Sequence, residues 1–141
     1  MVKQLVVFLE NRPGHLAHVA RVLADEQINI RSVTIASSES FGVVKMIVDR
    51  PEQAHEALKK SDLSVNLQEV VAVVMDDRVG GLHTALEAFA EKGLNVKDAS
   101  GFVVNPGGTA VLILEVEDLD SARRIAQEAG FQLYQEELHQ F

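Results

Sequence analysis

The stretch Glu10-Asn11-Arg12-Pro13-Gly14-His15-Leu16 joins an apolar, strand-like run to an amphipathic helical run, and it decides the fold because it occurs twice. Its second copy is Asp76-Asp77-Arg78-Val79-Gly80-Gly81-Leu82. Each copy follows a burst of branched residues, at 5–9 or 70–75, and precedes a helical pattern. A strand, a glycine turn and a helix N-terminus are therefore predicted twice.

The backbone of such a turn can bind an anion. The first N–H groups of a helix have no intrahelical partner, and the helix dipole adds partial positive charge there, so a carboxylate fits. Gly14 and Gly80 lack a Cβ, which lets a small ligand approach the main chain closely. Glycine is also common in plain tight turns. The turn alone leaves a binding role and a structural role open.

Hydrophobic periodicity predicts the order βαββαβ in the first half. The elements are a strand at 5–9, a helix from Gly14, a hairpin at 29–36 and 43–48, a helix from Pro51 and a strand at 63–68. The first helix is expected to bury an apolar stripe of Leu16, Val19, Ala20, Leu23 and Ala24.

The second half repeats that order at an offset of 66 to 68 residues. Its first helix should bury Leu82, Ala85, Leu86 and Phe89, with Gly93 as a left-handed C-cap. A hairpin is predicted at 95–104 and 109–116, followed by a helix that buries Ala122, Ile125 and Ala126 and is closed by Gly130. The final strand should start at 131–133.

We therefore expect an α+β fold of two ferredoxin-like βαββαβ plaits packed side by side, at residues 1–69 and 70–141. Runs 70–75 and 110–114 are apolar on both sides of the strand, which predicts that the helix-free face is also buried. Residues 65–71 contain neither Gly nor Pro, so no flexible linker is expected.

Charge and composition exclude several classes of protein. The net charge of -8, without a Lys/Arg cluster, argues against nucleic-acid binding. The absence of cysteine excludes disulfides and zinc–thiolate sites. The N-terminus has no signal-peptide pattern, and no apolar run approaches the ~18 residues of a membrane span. We expect a cytoplasmic protein that binds neither nucleic acid nor membrane.

No combination of residues indicates catalysis. Asp76-Asp77 and Glu136-Glu137 are interpreted as solvated charges, and residues 105–108 as a hairpin turn, because they lack the Gly-Lys-Ser/Thr ending of a phosphate loop. The sequence places no third metal ligand beside any of the histidines, which are His15, His18, His55, His83 and His139. We expect no metal, no cofactor and no enzymatic activity.

The first turn, a helix that ends before Asn29-Ile30 and a hairpin closing at Phe41-Gly42-Val43 together resemble the ACT domain. This βαββαβ module binds small effectors, usually amino acids, in many metabolic enzymes. The whole chain resembles the stand-alone tandem ACT proteins of prokaryotes. In the second copy, Val79 replaces the proline and Asp77 the asparagine, which weakens the expected site there.

The resemblance implies an amino-acid-binding regulatory protein whose ligand lies at an interface between ACT domains. The implied positions are Asn11, Arg12, Pro13, Gly14, His15, Leu16, Asn29 and Ile30, with Asp77, Gly80, Gly81, Leu82 and Asn95 as weaker counterparts. An asparagine side chain can accept from an ammonium group and donate to a carboxylate. The open alternatives are that Asn11 only caps the turn and that Asn29 only ends the helix.

The expected partners are an amino-acid effector, a second copy of the chain in a homodimer, and a metabolic enzyme under regulation. An alternative function also remains open. The chain could act as a ligand-independent interaction module that uses its open sheet face to regulate a separate metabolic enzyme.

Overall fold

The computed structural model describes residues 1–140 and confirms the predicted βαββαβ order in both repeats. The elements are β1 (Val2–Glu10), α1 (His15–Asp25), β2 (Ile30–Ser38), β3 (Phe41–Val48), α2 (Pro51–Lys60), β4 (Ser64–Asp76), α3 (Gly81–Glu91), β5 (Asp98–Val103), β6 (Thr109–Glu115), α4 (Leu119–Glu128), β7 (Leu133–Tyr134) and a C-terminal 3-10 helix (Glu136–Gln140). Within residues 1–140, no helix is long and apolar enough to cross a membrane.

One long strand belongs to both repeats. β4 is the last strand of the first βαββαβ and the first strand of the second. Its first part alternates polar and apolar residues, its second part is rich in branched residues, and no Gly or Pro separates the two, so the strand is continuous. Contacts divide the chain into two compact units. The first-repeat unit holds Lys3–Gln68 and residues 137–140, and the second-repeat unit holds Glu69–Glu136 with Met1 and Val2.

The sheet of the first-repeat unit is antiparallel, with β3 between β2 and β1. Its core side chains come from one face of these strands and from the buried sides of α1 and α2. They are Leu5, Val7, Leu9, Val19, Leu23, Ile28, Val44, Met46, Val48, Ala54 and Leu58.

The second-repeat unit has the antiparallel order β5-β6-β4-β7. Its core joins one face of the strands to α3 and α4, and it includes the predicted helical residues Ala85, Phe89, Ala122, Ile125 and Ala126. The strand residues that alternate with the core, Val70, Ala72, Val111 and Ile113, are buried as well, as predicted for the second face. The expected fold of two ferredoxin-like plaits is confirmed.

The predicted stripe of α1 is wrong for three residues. Val19 and Leu23 are fully buried, but Leu16 is 40% exposed, and Ala20 and Ala24 are exposed too. In α3, the equivalent Leu82 is 49% exposed. Leu16 and Leu82 lie in the first turn of their helices, immediately after the glycine turn, where the helix has not yet reached the core. Ala20 and Ala24 each lie one position after a buried residue, at the edge of the apolar stripe. The sequence period therefore gives the centre of the buried face but neither its width nor how far along the helix the core extends.

Several strands begin or end at residues other than those predicted from the sequence. β2 continues through Ser38, two residues beyond its predicted end at 36, because its residues pair with β3 as far as Phe41. β5 begins at Asp98 rather than at residue 95. The last strand has only the two residues of β7, and the chain then turns into the 3-10 helix. Gly93 and Gly130 follow α3 and α4 with positive φ, as predicted.

The C-terminal 3-10 helix contributes buried residues to the first-repeat unit. Leu138 is fully buried and His139 nearly so. The His139 ring lies between two main-chain groups, with Nε2 3.3 Å from the Lys3 N–H and Nδ1 2.6 Å from the Val48 carbonyl oxygen. Since the Lys3 N–H can only donate, Nε2 accepts and Nδ1–H donates to Val48. The ring thus joins the beginning of β1 to the end of β3.

Candidate functional site

The two glycine turns are structural copies. Gly14 has φ +86° and ψ -11°, and Gly80 has φ +82° and ψ -2°. Residues with a Cβ rarely adopt this region, so the backbone requires glycine at both positions. In each turn, the arginine N–H donates to the carbonyl of the acidic residue two positions earlier, at 2.9 Å in the first and 3.0 Å in the second.

The helices that follow these turns begin without a side-chain cap from any described residue. The same holds for α2, where Pro51 removes one of the first N–H groups. By contrast, α4 is capped by Asp118, the residue before it, whose carboxylate accepts hydrogen bonds from the Ser121 hydroxyl at 2.6 Å and the Ser121 N–H at 3.0 Å. These bonds lower the pKa of Asp118 below its usual value. The Asp118 carboxylate therefore already occupies the positive end of the α4 dipole. At α1 and α3, that end is suited to a carboxylate from outside.

The second residue of each turn, Asn11 or Asp77, is hydrogen-bonded to the hairpin of its own repeat. The Asn11 N–H donates to the Ser40 carbonyl at 2.6 Å, and its side-chain amide donates to the Glu39 carbonyl at 3.4 Å. The Asp77 carboxylate accepts from the Gly107 N–H at 2.7 Å. Asn11 therefore braces the turn against the hairpin.

Each turn also carries an ion pair between the residues at its first and third positions. Arg12 Nη2 lies 2.6 Å from Glu10 Oε2, and Arg78 Nε lies 3.4 Å from Asp76 Oδ2. All four side chains are more than half exposed, so the pairs themselves add little stability. Sequence reasoning selected Arg12 but missed the other three. The signal was present, because an acid and an arginine recur at the same positions of both copies.

Asn29 and Ile30, although predicted with Asn11 to Leu16, lie elsewhere in the first-repeat unit. β2 starts at Ile30 and ends beside the hairpin that contacts Asn11, so its length of roughly 3.3 Å per residue places Asn29 about 27 Å from the turn. The Asn29 N–H donates to Asp49 Oδ1 at 3.1 Å. One repeat does not bring the two predicted parts of the site together.

Main-chain carbonyl groups just after α1, near Asn29, already accept hydrogen bonds from another residue of the chain. The Arg50 guanidinium donates to the main-chain carbonyls of Glu26 and Gln27. A groove of about 500 Å³ lies here, and its side chains are mostly charged or polar, including Glu52, Glu56 and Lys60. The Lys3 ammonium at 2.5 Å lowers the pKa of the Glu52 carboxyl. The groove is polar and open.

A pocket of about 440 Å³, open to solvent, lies beside the second turn, wholly within the second-repeat unit. This volume falls in the range of roughly 300–1,000 Å³ that is common for ligand sites. We call it the second-repeat cavity. It is bounded by the end of β4, the start of α3, and strands β5 and β6, and is lined by Met75, Asp76, Asp77, Arg78, Leu82, Leu86, Ala99, Ser100, Gly101, Phe102, Val103, Ala110 and Leu112.

Of the predicted second-repeat residues, Asp77 and Leu82 line this cavity, whereas Gly80, Gly81 and Asn95 are not among its walls. Gly81 has a structural role instead. A Cβ there would lie 2.2 Å from the Asp76 carbonyl oxygen, so only glycine fits. Asn95 lies in the loop between α3 and β5.

Within residues 1–140, no group of three His, Cys, Asp or Glu side chains could hold a metal ion. The predicted binding residues His15 and Leu16 open α1, with His15 half-buried. Arg12, Pro13 and Gly14 are exposed. The chemistry offered by the first turn is therefore that of main-chain N–H groups, one exposed ion pair and an apolar side chain.

Comparison with known proteins gives one family and several solved structures. The family described as ACT domain pair matches residues 1–140. A protein of Bacteroides thetaiotaomicron is 29% identical, with a TM-score of 0.92 over 99% of this chain and 96% of that chain. A search of curated proteins gave no match.

Two further structures share the fold at lower identity. They are the regulatory subunits of aspartate kinase from Thermus thermophilus, in a ligand-free form, and from Thermus flavus. They are 18% and 16% identical to this chain, with TM-scores of 0.68 and 0.60, and each match covers 92% of this chain and 93% of the other.

Proposed function

The chain belongs to the ACT domain pair family, and on that basis we propose that it is an amino-acid-binding regulatory protein. It senses a free amino acid in the cytoplasm and passes the signal to a metabolic enzyme, without catalysing a reaction or carrying a cofactor. The observation that carries this proposal is the repeated glycine turn, which leads into a helix that no described side chain caps.

The first turn is the main site in this proposal. The His15 N–H donates to the Arg12 carbonyl at 3.2 Å, so the N–H groups that follow it in the first turn of α1 take the ligand carboxylate, and Pro13 fixes the backbone before them. Asn11 keeps the turn in place through the hairpin, and Arg12 adds positive charge. Leu16 offers an apolar contact. The second turn is a weaker site because Asp77, which stands where the first turn has the neutral Asn11, repels a carboxylate, and because Val79 replaces Pro13.

The effector lies at an interface between two copies of the chain. Asn29 and Ile30 belong to the family-implied site but lie about 27 Å from the first turn along β2, so a neighbouring copy would have to supply them. The first-repeat unit exposes apolar side chains that suit such an interface. Leu16 is 40% exposed, and Val33 and Ile35 on β2 are about half exposed.

We expect the protein to be at least a homodimer at micromolar concentration. Exposed apolar patches on soluble proteins commonly mark contact surfaces, and a second copy would cover this one. Light scattering coupled to size exclusion should give a mass of about twice 15.4 kDa or more. Val33→Asp/Ile35→Asp should shift the mass toward the monomer, and a monomeric wild type would contradict the interface.

A thermal-shift screen of the standard amino acids tests the function itself. A ligand that binds only the native state stabilises it by RT ln(1 + [L]/Kd), or about 2.7 kcal/mol at a hundredfold excess over Kd. We expect at least one amino acid to raise Tm at millimolar concentration. If none does, a second function gains support: ligand-independent binding to an enzyme, which is favoured by the exposed Phe8 and Phe41.

A further inference from the structure

The second-repeat cavity exists because two residues of β5 are small. Ala99 and Gly101 point to the core side of the sheet, opposite Leu114 and Leu112. At the equivalent positions, 66 residues earlier, the first repeat has Val33 and Ile35. An ideal Cβ on Gly101 would lie 3.5 Å from the Met75 methyl group, which also lines the cavity. The first-repeat side chains would occupy part of this space.

The walls of the cavity divide into an apolar part and a polar part. Its apolar residues on the core side include Met75, Leu82, Leu86 and Leu112. All of its charged side chains, namely Asp76, Asp77 and Arg78, come from the second turn. An occupant therefore needs a charged head at the turn and an apolar body against the helix and strands.

The charged residues of the cavity can bind both charges of a zwitterion. Arg78 and Asp76 form an ion pair across 3.4 Å and present opposite charges side by side. A free α-amino acid carries a carboxylate and an ammonium on neighbouring atoms, so its head can lie antiparallel to this pair, with the carboxylate on Arg78 and the ammonium on Asp76. Asp77 already accepts a hydrogen bond from the Gly107 N–H, so it holds the wall in place.

We infer that the second-repeat cavity binds the side chain of a free amino acid of the aliphatic, thioether or aromatic class, whose zwitterionic head lies on the Asp76–Arg78 pair. The inference rests on the proposed function and specifies the ligand class of its weaker site. Lysine, aspartate and glutamine are excluded, because each would bury a charged or amide group against apolar walls that offer no partner.

The chain provides its own reporter for this cavity. Its three methionines are Met1, Met46 and Met75. Met75 lines the cavity, whereas Met46 is buried in the core of the first-repeat unit. In protein labelled with 13C at the methionine methyl groups, an occupant should shift the Met75 signal. The probes are L-valine, L-leucine, L-methionine and L-phenylalanine, against L-lysine, L-aspartate and L-glutamine, at millimolar concentration.

We expect at least one apolar probe to shift the Met75 signal saturably and none of the polar probes to do so. Ala99→Val/Gly101→Ile, which places the first-repeat residues on β5, should weaken that titration at least about tenfold. In the double variant, a Cβ at position 101 would lie 3.1 Å from the Val111 carbonyl oxygen, which strains the strand. Ala99→Val alone avoids that contact and should also weaken binding. Ala129→Val, at an exposed position after α4 that does not line the cavity, is the matched control and should leave the titration unchanged.

The possible results separate the two claims. If an amino acid raises Tm but the Met75 signal never responds, or if a polar probe shifts it equally, this inference fails and the proposed function stands. If Ala99→Val and the double variant both fold and bind the apolar probe as the wild type does, the inference also fails. If no amino acid changes Tm or any methionine signal, both the inference and the proposed function fail.

Discussion

Deletion of residues 137–141 should lower the free energy of unfolding by at least about 3 kcal/mol, because it removes a fully buried leucine and two hydrogen bonds made by a buried histidine. Leu138→Ala alone should cost roughly 2–5 kcal/mol, the usual range for truncating a buried leucine. His139→Ala should cost about 1–3 kcal/mol for each main-chain group left without a partner.

Urea unfolding followed by circular dichroism measures these losses, since the chain has no tryptophan. The Met46 methyl signal reports separately on the core of the first-repeat unit. Gln140→Ala, in the same 3-10 helix but exposed, is the matched control and should be neutral. His139→Gln can donate and accept like the ring, so it should recover part of the loss. Wild-type stability in Leu138→Ala would show that the segment does not complete the unit.

Gly14→Val should abolish most effector binding and raise the Kd of the effector at least about tenfold, whereas Gly80→Val should raise it less. A Cβ on either glycine would meet no protein atom within 4 Å, so the cost arises from the backbone and from the ligand. A β-branched residue disfavours φ near +86°, and its adjustment would turn the first N–H groups of α1 away from the carboxylate.

The two turns should respond differently because their neighbours differ. Pro13 fixes the backbone before Gly14, and the matching Val79 does not. Gly130→Val is the control for strain alone, since Gly130 has φ +87° at the end of α4, away from both turns. Calorimetric titration of folded variants measures the effect. If Gly80→Val lost the ligand and Gly14→Val kept it, the assignment of the main site would be reversed.

The sequence predicted the fold because its signals are local and occur twice. The two glycine turns, the branched runs before them and the C-cap glycines each describe a few neighbouring residues, and the structure confirms them. The predicted burial of Leu16 and Leu82 was wrong because the extent of the core is set by the sheet rather than by the helix period.

The parts that sequence reasoning missed depend on distant residues. His139 contacts main-chain groups of Lys3 and Val48, and no local pattern indicates such pairing. The second-repeat cavity could have been suspected from a comparison of the repeats, since Ala99 and Gly101 stand where Val33 and Ile35 stand in the first.

The most direct test of amino-acid recognition is calorimetric titration of the unmodified protein with the amino acid that raises Tm most, compared with its methyl ester. The ester keeps the ammonium and the side chain but loses the negative charge that the helix N-terminus should bind. We expect saturable heat from the amino acid and at least about tenfold weaker binding of the ester. Equal binding of both, or no heat from the amino acid, would contradict the account.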